Sequence, residues 1–140
     1  MATTLQGTTV LPLTADFDGN RNVVINGDRS TKVLGKGEPP RRFTFTLTDN
    51  TGLNVRFASL DTQDYRSQCP PTVTGEKSGQ IVGVQIKNDR TPKEAWFVDN
   101  NSNPSSQPPI DVCYRWNFIC DDTSQPPISF DPIIRNPGTP

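Results

Sequence analysis

The sequence predicts an all-β protein, and three observations lead to that prediction. Apolar and polar residues alternate in several short runs, which is typical of strands that bury one face. Turn-forming sequences separate these runs. No window of eleven or more residues shows the i, i+3, i+4 apolar spacing of a helix. The predicted fold is an antiparallel two-sheet β-sandwich, immunoglobulin-like or jelly-roll in style, with eight or nine strands and essentially no helix.

The best-patterned run is 110–120, in which every even-numbered residue is apolar or aromatic. Burying six such side chains contributes on the order of 10 kcal/mol, as an upper bound. We therefore expect this run to be the central core strand. Its length makes a bend or bulge plausible. The last strand, 128–134, is its expected antiparallel neighbour.

Earlier runs predict further strands. Residues 8–13 form an edge strand or a strand end because proline cannot donate to a ladder. Residues 23–25 form a short strand, Asn26-Gly27 matches the type I′ hairpin preference, and the return strand lies near 30–34. A second hairpin joins 41–48 to 53–57, and it has the clearest pattern of the two.

The second half of the chain is more polar. Residues 61–79 are predicted to be a long connection, with a short strand near Thr72–Thr74. Residues 81–86 form a strand with its valines and Ile86 inward, and 95–98 form another. Four Pro-Pro pairs lie just before strands, at 39–40, 70–71, 108–109 and 126–127. Paired prolines favour extended chain and lack backbone donors, so they lead into a strand without inviting another chain to pair.

Length and charge limit the function classes. At 140 residues, the chain fits one domain spanning 1–140. A net charge of −1 with interspersed signs gives no footprint for nucleic acid or an anionic membrane surface. No run approaches eighteen apolar residues, so no transmembrane helix is predicted.

The cysteines are Cys69, Cys113 and Cys120. An odd number, without a visible signal sequence, predicts free thiols in a reducing compartment and a cytoplasmic protein. Cys113 and Cys120 are seven residues apart, so on one uninterrupted strand they face opposite sides and cannot pair.

No catalytic, cofactor-binding or metal-binding residue is predicted. The chain has no histidine to serve as a base or a zinc ligand, and no glycine-rich phosphate loop. The stretch 16–22 places Asp or Asn at alternate positions, as calcium loops do, but Gly19 is at the fourth position instead of the sixth. A solvated turn is the preferred interpretation, and a weak calcium site is the alternative.

A contact surface is predicted at Trp96, Phe97 and Ile119. Neighbours on a strand point to opposite faces, so one ring of Trp96-Phe97 faces the core and the other is exposed unless something covers it. Ile119 lies on the polar face of the central strand. These residues favour a non-enzymatic interaction module that forms homo-oligomers. The alternative is a small-ligand or carbohydrate-binding sandwich that uses both aromatic residues and the loop Asp99–Asn103, with its ligand unknown.

Two short motifs carry a family resemblance. Glu38-Pro39 precedes Arg41–Phe45, and Asp131-Pro132 follows Phe130 near the C-terminus. Together they resemble the DP-EP family of small bacterial proteins, and the Asp-Pro element is distantly similar to that of the PixA/AidA inclusion-body proteins. The resemblance implies a two-sheet β-sandwich and carries over no catalytic residue.

Overall fold

The computed structural model describes residues 8–34, 38–65, 71, 74–102 and 110–136. Within these ranges all regular structure is β, so they contain no helix able to span a membrane. The described strands are β1 (Thr8–Phe17), β2 (Val23–Asn26), β3 (Lys32–Val33), β4 (Arg41–Asp49), β5 (Arg56–Tyr65), β6 (Ile81–Ile86), β7 (Glu94–Asp99), β8 (Ile110–Ile119), β9 (Ile128–Phe130) and β10 (Ile133–Asn136).

The strands form two sheets. Sheet 1 has the order β2-β1-β4-β7-β6, and sheet 2 has the order β3-β10-β8-β5, with β9 also paired to β8. The prediction of an all-β, two-sheet structure is confirmed. The prediction that all pairing is antiparallel is wrong, because β1 pairs with β4 and β3 with β10 in parallel. Parallel pairing of β1 and β4 arises because the chain leaves sheet 1 after β2, forms β3 in sheet 2, and then returns beside β1.

The two sheets meet face to face through aromatic rings. Phe45 of β4 lies 5.6 Å from Trp116 of β8 between ring centroids, and Phe97 of β7 lies 5.2 Å from Tyr114 of β8. Offset and edge-to-face contacts at such distances each add about 0.5–1.5 kcal/mol beyond burial. The central strand is confirmed as a core strand, with its predicted inner face fully buried at Val112, Tyr114, Trp116 and Phe118. The bulge lies in its partner β5, between Phe57 and Ser59.

The predicted hairpin between 41–48 and 53–57 is wrong, although its inner-face residues are in the core. β4 belongs to sheet 1 and β5 to sheet 2. The chain changes sheets at Asp49, whose carboxylate accepts hydrogen bonds from the backbone N–H groups of Thr51 and Val55, both at 2.9 Å. Alternating residues pack inward on either sheet, so the pattern could not distinguish a hairpin from a crossover.

The predicted hairpin at Asn26-Gly27 is also wrong, because β3 pairs with β10 in sheet 2 instead of with β2. Neither Asn26 nor Gly27 has the positive φ that a type I′ turn requires. Glycine is needed at position 27 for a different reason. A Cβ there would lie 2.5 Å from Leu13 Cδ2 and 3.1 Å from Phe130 Cε1, closer than atoms can approach without a shift in the core.

Three strand boundaries differ from the prediction. β1 continues to Phe17 and is an edge only in its first half, since β2 pairs with it from Thr14 onwards. Residues 61–65, predicted to be connection, belong to β5. The strand predicted over 128–134 is interrupted at Asp131-Pro132 and gives β9 and β10, both antiparallel to β8.

The remaining strand predictions are partly confirmed. The β6 bounds match, but Val82 points outward because the register shifts between Val82 and Gln85, where Gly83 has a φ of 61°. The proline pairs 39–40 and 126–127 directly precede β4 and β9 or lie next to their first residues. Parts of the other two pairs, and of the strand predicted near Thr72–Thr74, lie outside the described residues.

The prediction of free thiols is wrong for Cys113, which is disulfide-bonded. Cys120 is free, so the prediction that these two cysteines do not pair is confirmed. Cys69 lies outside the described residues.

Candidate functional site

The structure separates the three residues predicted to form a contact surface. Phe97 lies in the core, with ring centroids 5.7 Å from Phe43 and 5.4 Å from Phe45. Trp96 points out of sheet 1 and is half-buried, whereas Ile119 ends β8 on the outer side of sheet 2 and is 50% exposed. Phe97 therefore contributes to packing, and the two remaining residues belong to different surfaces.

Trp96 lies at the centre of the outer face of sheet 1. Strand register places Val10, Thr44 and Trp96 side by side in one row across β1, β4 and β7. The next row places Arg42 of β4 beside Val98 of β7 and Val82 of β6. We call this surface the Trp96 face, and its members are Val10, Arg42, Thr44, Val82, Trp96 and Val98.

Arg42 organises the centre of the Trp96 face. Its guanidinium carbon lies 4.5 Å from the centroid of the Trp96 ring, and its Nε–H donates to Thr44 Oγ1 at 3.2 Å. A cation–π contact of this kind at a partly exposed site contributes about 0.5–1 kcal/mol. One side of the indole is therefore occupied by Arg42, and the ring is held in a fixed orientation.

The apolar members of the Trp96 face are exposed at its margins. Val10 is 56% exposed and Val82 is 41% exposed, and these residues lie on strands at opposite sides of β4 and β7. Three strand spacings separate them, which is roughly 14 Å. Exposed valines on both sides of a half-buried tryptophan make this a continuous apolar surface instead of a single exposed side chain.

Ile119 lines a separate, open groove of about 520 Å³ at the end of β8. Its apolar walls come from the ends of β8 and β9 and from the turn that joins them. The apolar lining residues are Phe118, Ile119, Pro126, Pro127 and Ile128.

The polar groups around this groove are already bonded within the chain. Arg56 Nη1 donates to Asp121 Oδ1 at 3.0 Å, and the Cys120 thiol donates to the Asp122 carbonyl at 3.3 Å. Gln125 Oε1 accepts from the Val23 N–H at 2.8 Å. A ligand in this groove would be recognised mainly by apolar contact.

The outer face of sheet 2 has a polar network that the sequence did not predict. Asp61 of β5 is buried and accepts hydrogen bonds from Arg115 Nη2 at 2.9 Å, Asn117 Nδ2 at 2.8 Å and the Gly75 N–H at 2.8 Å. Burial alone would raise the pKa of Asp61, but these three donors outweigh it and lower the pKa below its ordinary value. Asp61 and Arg115 are cross-strand neighbours, and this signal becomes visible only when the pairing of β5 with β8 is known.

The structure does not form the carbohydrate platform that the alternative prediction required. Phe97 is in the core, and Asp99 at the end of β7 is fully buried, with its carboxylate accepting from the Asn101 N–H at 2.9 Å. Arg42 covers one side of the Trp96 ring. Asn103 lies outside the described residues.

The alternate acidic residues of 16–22 form a turn that bonds to itself. Asp18 Oδ1 accepts from the N–H groups of Asn20 at 2.8 Å and Asn22 at 2.9 Å. Hydrogen bonds from Asn50, Asn26 and Thr14 lower the pKa of Asp16. Nowhere in the described part of the chain are three or more cysteine, aspartate or glutamate side chains grouped as metal ligands would be.

No protein-family model matches this chain, and no curated protein matches it significantly.

Proposed function

We propose that this protein is a non-enzymatic interaction module that associates with a second copy of itself through the Trp96 face. The observation that carries the proposal is the exposure of Val10 and Val82 on both sides of Trp96. Contiguous apolar surface on a folded protein is typical of a contact site. The core of sheet 1 is complete without these side chains, so they are available to a partner.

The chemistry of the face supports a protein partner. Tryptophan and arginine are the residue types most enriched at the energetic centres of protein interfaces, and Trp96 with Arg42 provides both in one contact. Glu94 lies outward on the same strand as Trp96, so the face carries one cation and one anion.

A second copy is the partner that this charge pattern favours. In a two-fold dimer each patch meets itself, so Arg42 of one copy can approach Glu94 of the other. The chain's net charge of −1 means that two copies repel each other only slightly. The face is small beside the roughly 800 Å² that each partner contributes to a standard interface. We therefore expect weak association, with a Kd in the micromolar range or weaker.

Sedimentation equilibrium over a concentration series tests this proposal. The wild-type protein should show reversible self-association at high micromolar concentration, and Val10→Asp should abolish it by placing a charge in the apolar contact. Val33→Asp is the matched control, since Val33 of β3 is 64% exposed but lies in sheet 2. A strict monomer at high micromolar concentration, or equal loss in both variants, would contradict the proposal.

A small-ligand-binding module is the second candidate, and the Ile119 groove is the observation that favours it. The groove's volume lies within the range of small-molecule sites, and its bonded polar groups favour a compact apolar ligand. Binding of a hydrophobic fluorescent dye that is lost in Ile119→Asp but retained in Val10→Asp would support this candidate. Dye binding that is lost only in Val10→Asp would instead point to the Trp96 face.

We further propose that the two sheets form a sandwich of immunoglobulin-like or jelly-roll style, and that the chain is a DP-EP family member. The proposal is supported by the face-to-face aromatic contacts and by the position of the two motifs. Glu38-Pro39 leads into β4, and Asp131-Pro132 separates β9 from β10.

A further inference from the structure

Cys113 is fully buried although it points away from the core. Odd-numbered residues of β8 lie on the outer side of sheet 2, where Arg115 and Asn117 are half-buried and Ile119 is exposed. A side chain on an outer face is buried only if other parts of the chain cover it. The region around Cys113 is therefore covered, whereas the region around Ile119 is open.

Described parts of the chain between β5 and β6 attach to this covered side. Arg115 Nη1 donates to the Pro71 carbonyl at 3.2 Å, and Arg115 Nη2 pairs with Asp61 at 2.9 Å. Asp61 in turn accepts from the Gly75 N–H. Arg115 and Asp61 thus connect β8 and β5 to residues 71 and 75.

Residues 75–79 continue along the edge of β5 through polar contacts. Thr62 forms an isolated parallel bridge with Glu76, and its Oγ1 accepts from the Ser78 N–H at 2.9 Å. The Gly79 N–H donates to Asp64 Oδ2 at 2.9 Å. None of the residues 75–79 contributes an apolar side chain to the core. Hydrogen bonds of this kind each contribute only about 0.5–1.5 kcal/mol net, so the attachment is weak without another link.

We propose that the disulfide of Cys113 is a redox-sensitive clasp that keeps residues 74–80 on β5 and adapts the protein to an oxidising compartment. A dithiol reductant opens the clasp: it supplies two electrons and two protons, the S–S bond breaks, two thiols form, and the dithiol becomes a cyclic disulfide. Disulfides persist mainly in oxidising compartments, so this inference opposes the cytoplasmic location that the sequence predicts.

Counting reactive thiols under denaturing conditions tests the clasp first. The oxidised monomer should show one reactive thiol, from Cys120, and three after treatment with dithiothreitol. Peptide mapping of the unreduced protein then identifies the bonding partner of Cys113. Three reactive thiols before reduction, in protein purified without reductant, would overturn the inference.

Thermal melting with hydrogen exchange tests what the clasp holds. Dithiothreitol should lower the Tm of the wild-type protein by about 10 °C. It should accelerate amide exchange at Gly75, Lys77 and Gly79 by about tenfold or more. Amides between β4 and β7 should change much less.

Two cysteine variants separate the clasp from general effects of the reductant. Cys113→Ala should melt as the reduced wild-type protein does and should be insensitive to dithiothreitol. Cys120→Ala should keep the full sensitivity, and it maintains the test if Cys113→Ala fails to fold. An unchanged Tm and unchanged exchange at residues 75–79, with complete reduction verified by mass, would overturn the inference.

Discussion

The outer faces of the two sheets differ in what covers them. On sheet 2, Asp61, Asp111 and Cys113 are buried under other parts of the chain. On sheet 1, Val10 and Val82 remain exposed beside Trp96. The covered face carries polar side chains that bond within the chain, and the open face carries apolar side chains that do not need such bonds. The comparison indicates that the polar face stabilises the fold and the apolar face is available to a partner.

Removing the central carboxylate of the covered face should have the largest effect on stability. Asp61→Ala leaves Arg115 and Asn117 without their buried acceptor, and we expect a loss of about 2–3 kcal/mol in the free energy of unfolding. Arg42→Ala on the open face should cost only about 0.5–1 kcal/mol, since it removes one cation–π contact. Urea denaturation measures both variants. Equal losses would remove the energetic distinction between the two faces.

Acid should weaken the covered face before it affects the open face. The folded-state pKa of Asp61 lies below its unfolded value of about 3.9, because its hydrogen bonds outweigh its burial. The ionised form therefore contributes stability above about pH 4, and this contribution is lost as the pH falls towards the folded-state pKa.

A melting series from pH 7 to pH 3 measures this loss. The wild-type Tm should be nearly constant between pH 7 and pH 5 and should fall below about pH 4. Asp61→Asn should start lower and decline less. Part of the decline should persist, because hydrogen bonds to Thr51 and Val55 also outweigh burial and lower the pKa of Asp49. Parallel curves for both proteins would show that Asp61 does not contribute.

The smallest stability effect is expected on the open face itself. Val10→Asp and Val33→Asp both replace exposed valines, so each should change the free energy of unfolding by less than about 0.5 kcal/mol. Chemical denaturation at low protein concentration measures this. A large loss in Val10→Asp alone would mean that Val10 supports the fold, and its use as an association probe would then fail.

The sequence predicted which residues are buried better than how the strands pair. Alternation along 41–48 and 110–120 identified Phe45 and Trp116 as core residues, because side-chain parity is a local property. Sheet membership depends on loops. The Asp49 carboxylate turns the chain from sheet 1 into sheet 2, and no local pattern marks that turn as a crossover.

The candidate surfaces were predictable to a similar extent. Parity required Trp96 and Phe97 to face opposite sides, and only the packing of Phe97 against Phe43 and Phe45 shows which one is in the core. The Asp61–Arg115 pair joins residues more than fifty positions apart, so it depends on the register of β5 with β8. The exposure of Val82 depends on a register shift in β6, which alternation alone cannot reveal.

A dilution series of ¹⁵N-labelled protein followed by NMR tests the central claim most directly. As concentration rises, the amide signals of Val10 and Thr44 and the indole signal of Trp96 should shift progressively. The Asn117 amide on the covered face and the Trp116 indole in the core should stay fixed. Shifts confined to the outer face of sheet 2, or no concentration dependence at any residue up to high micromolar protein, would contradict the claim that the Trp96 face is the self-association surface.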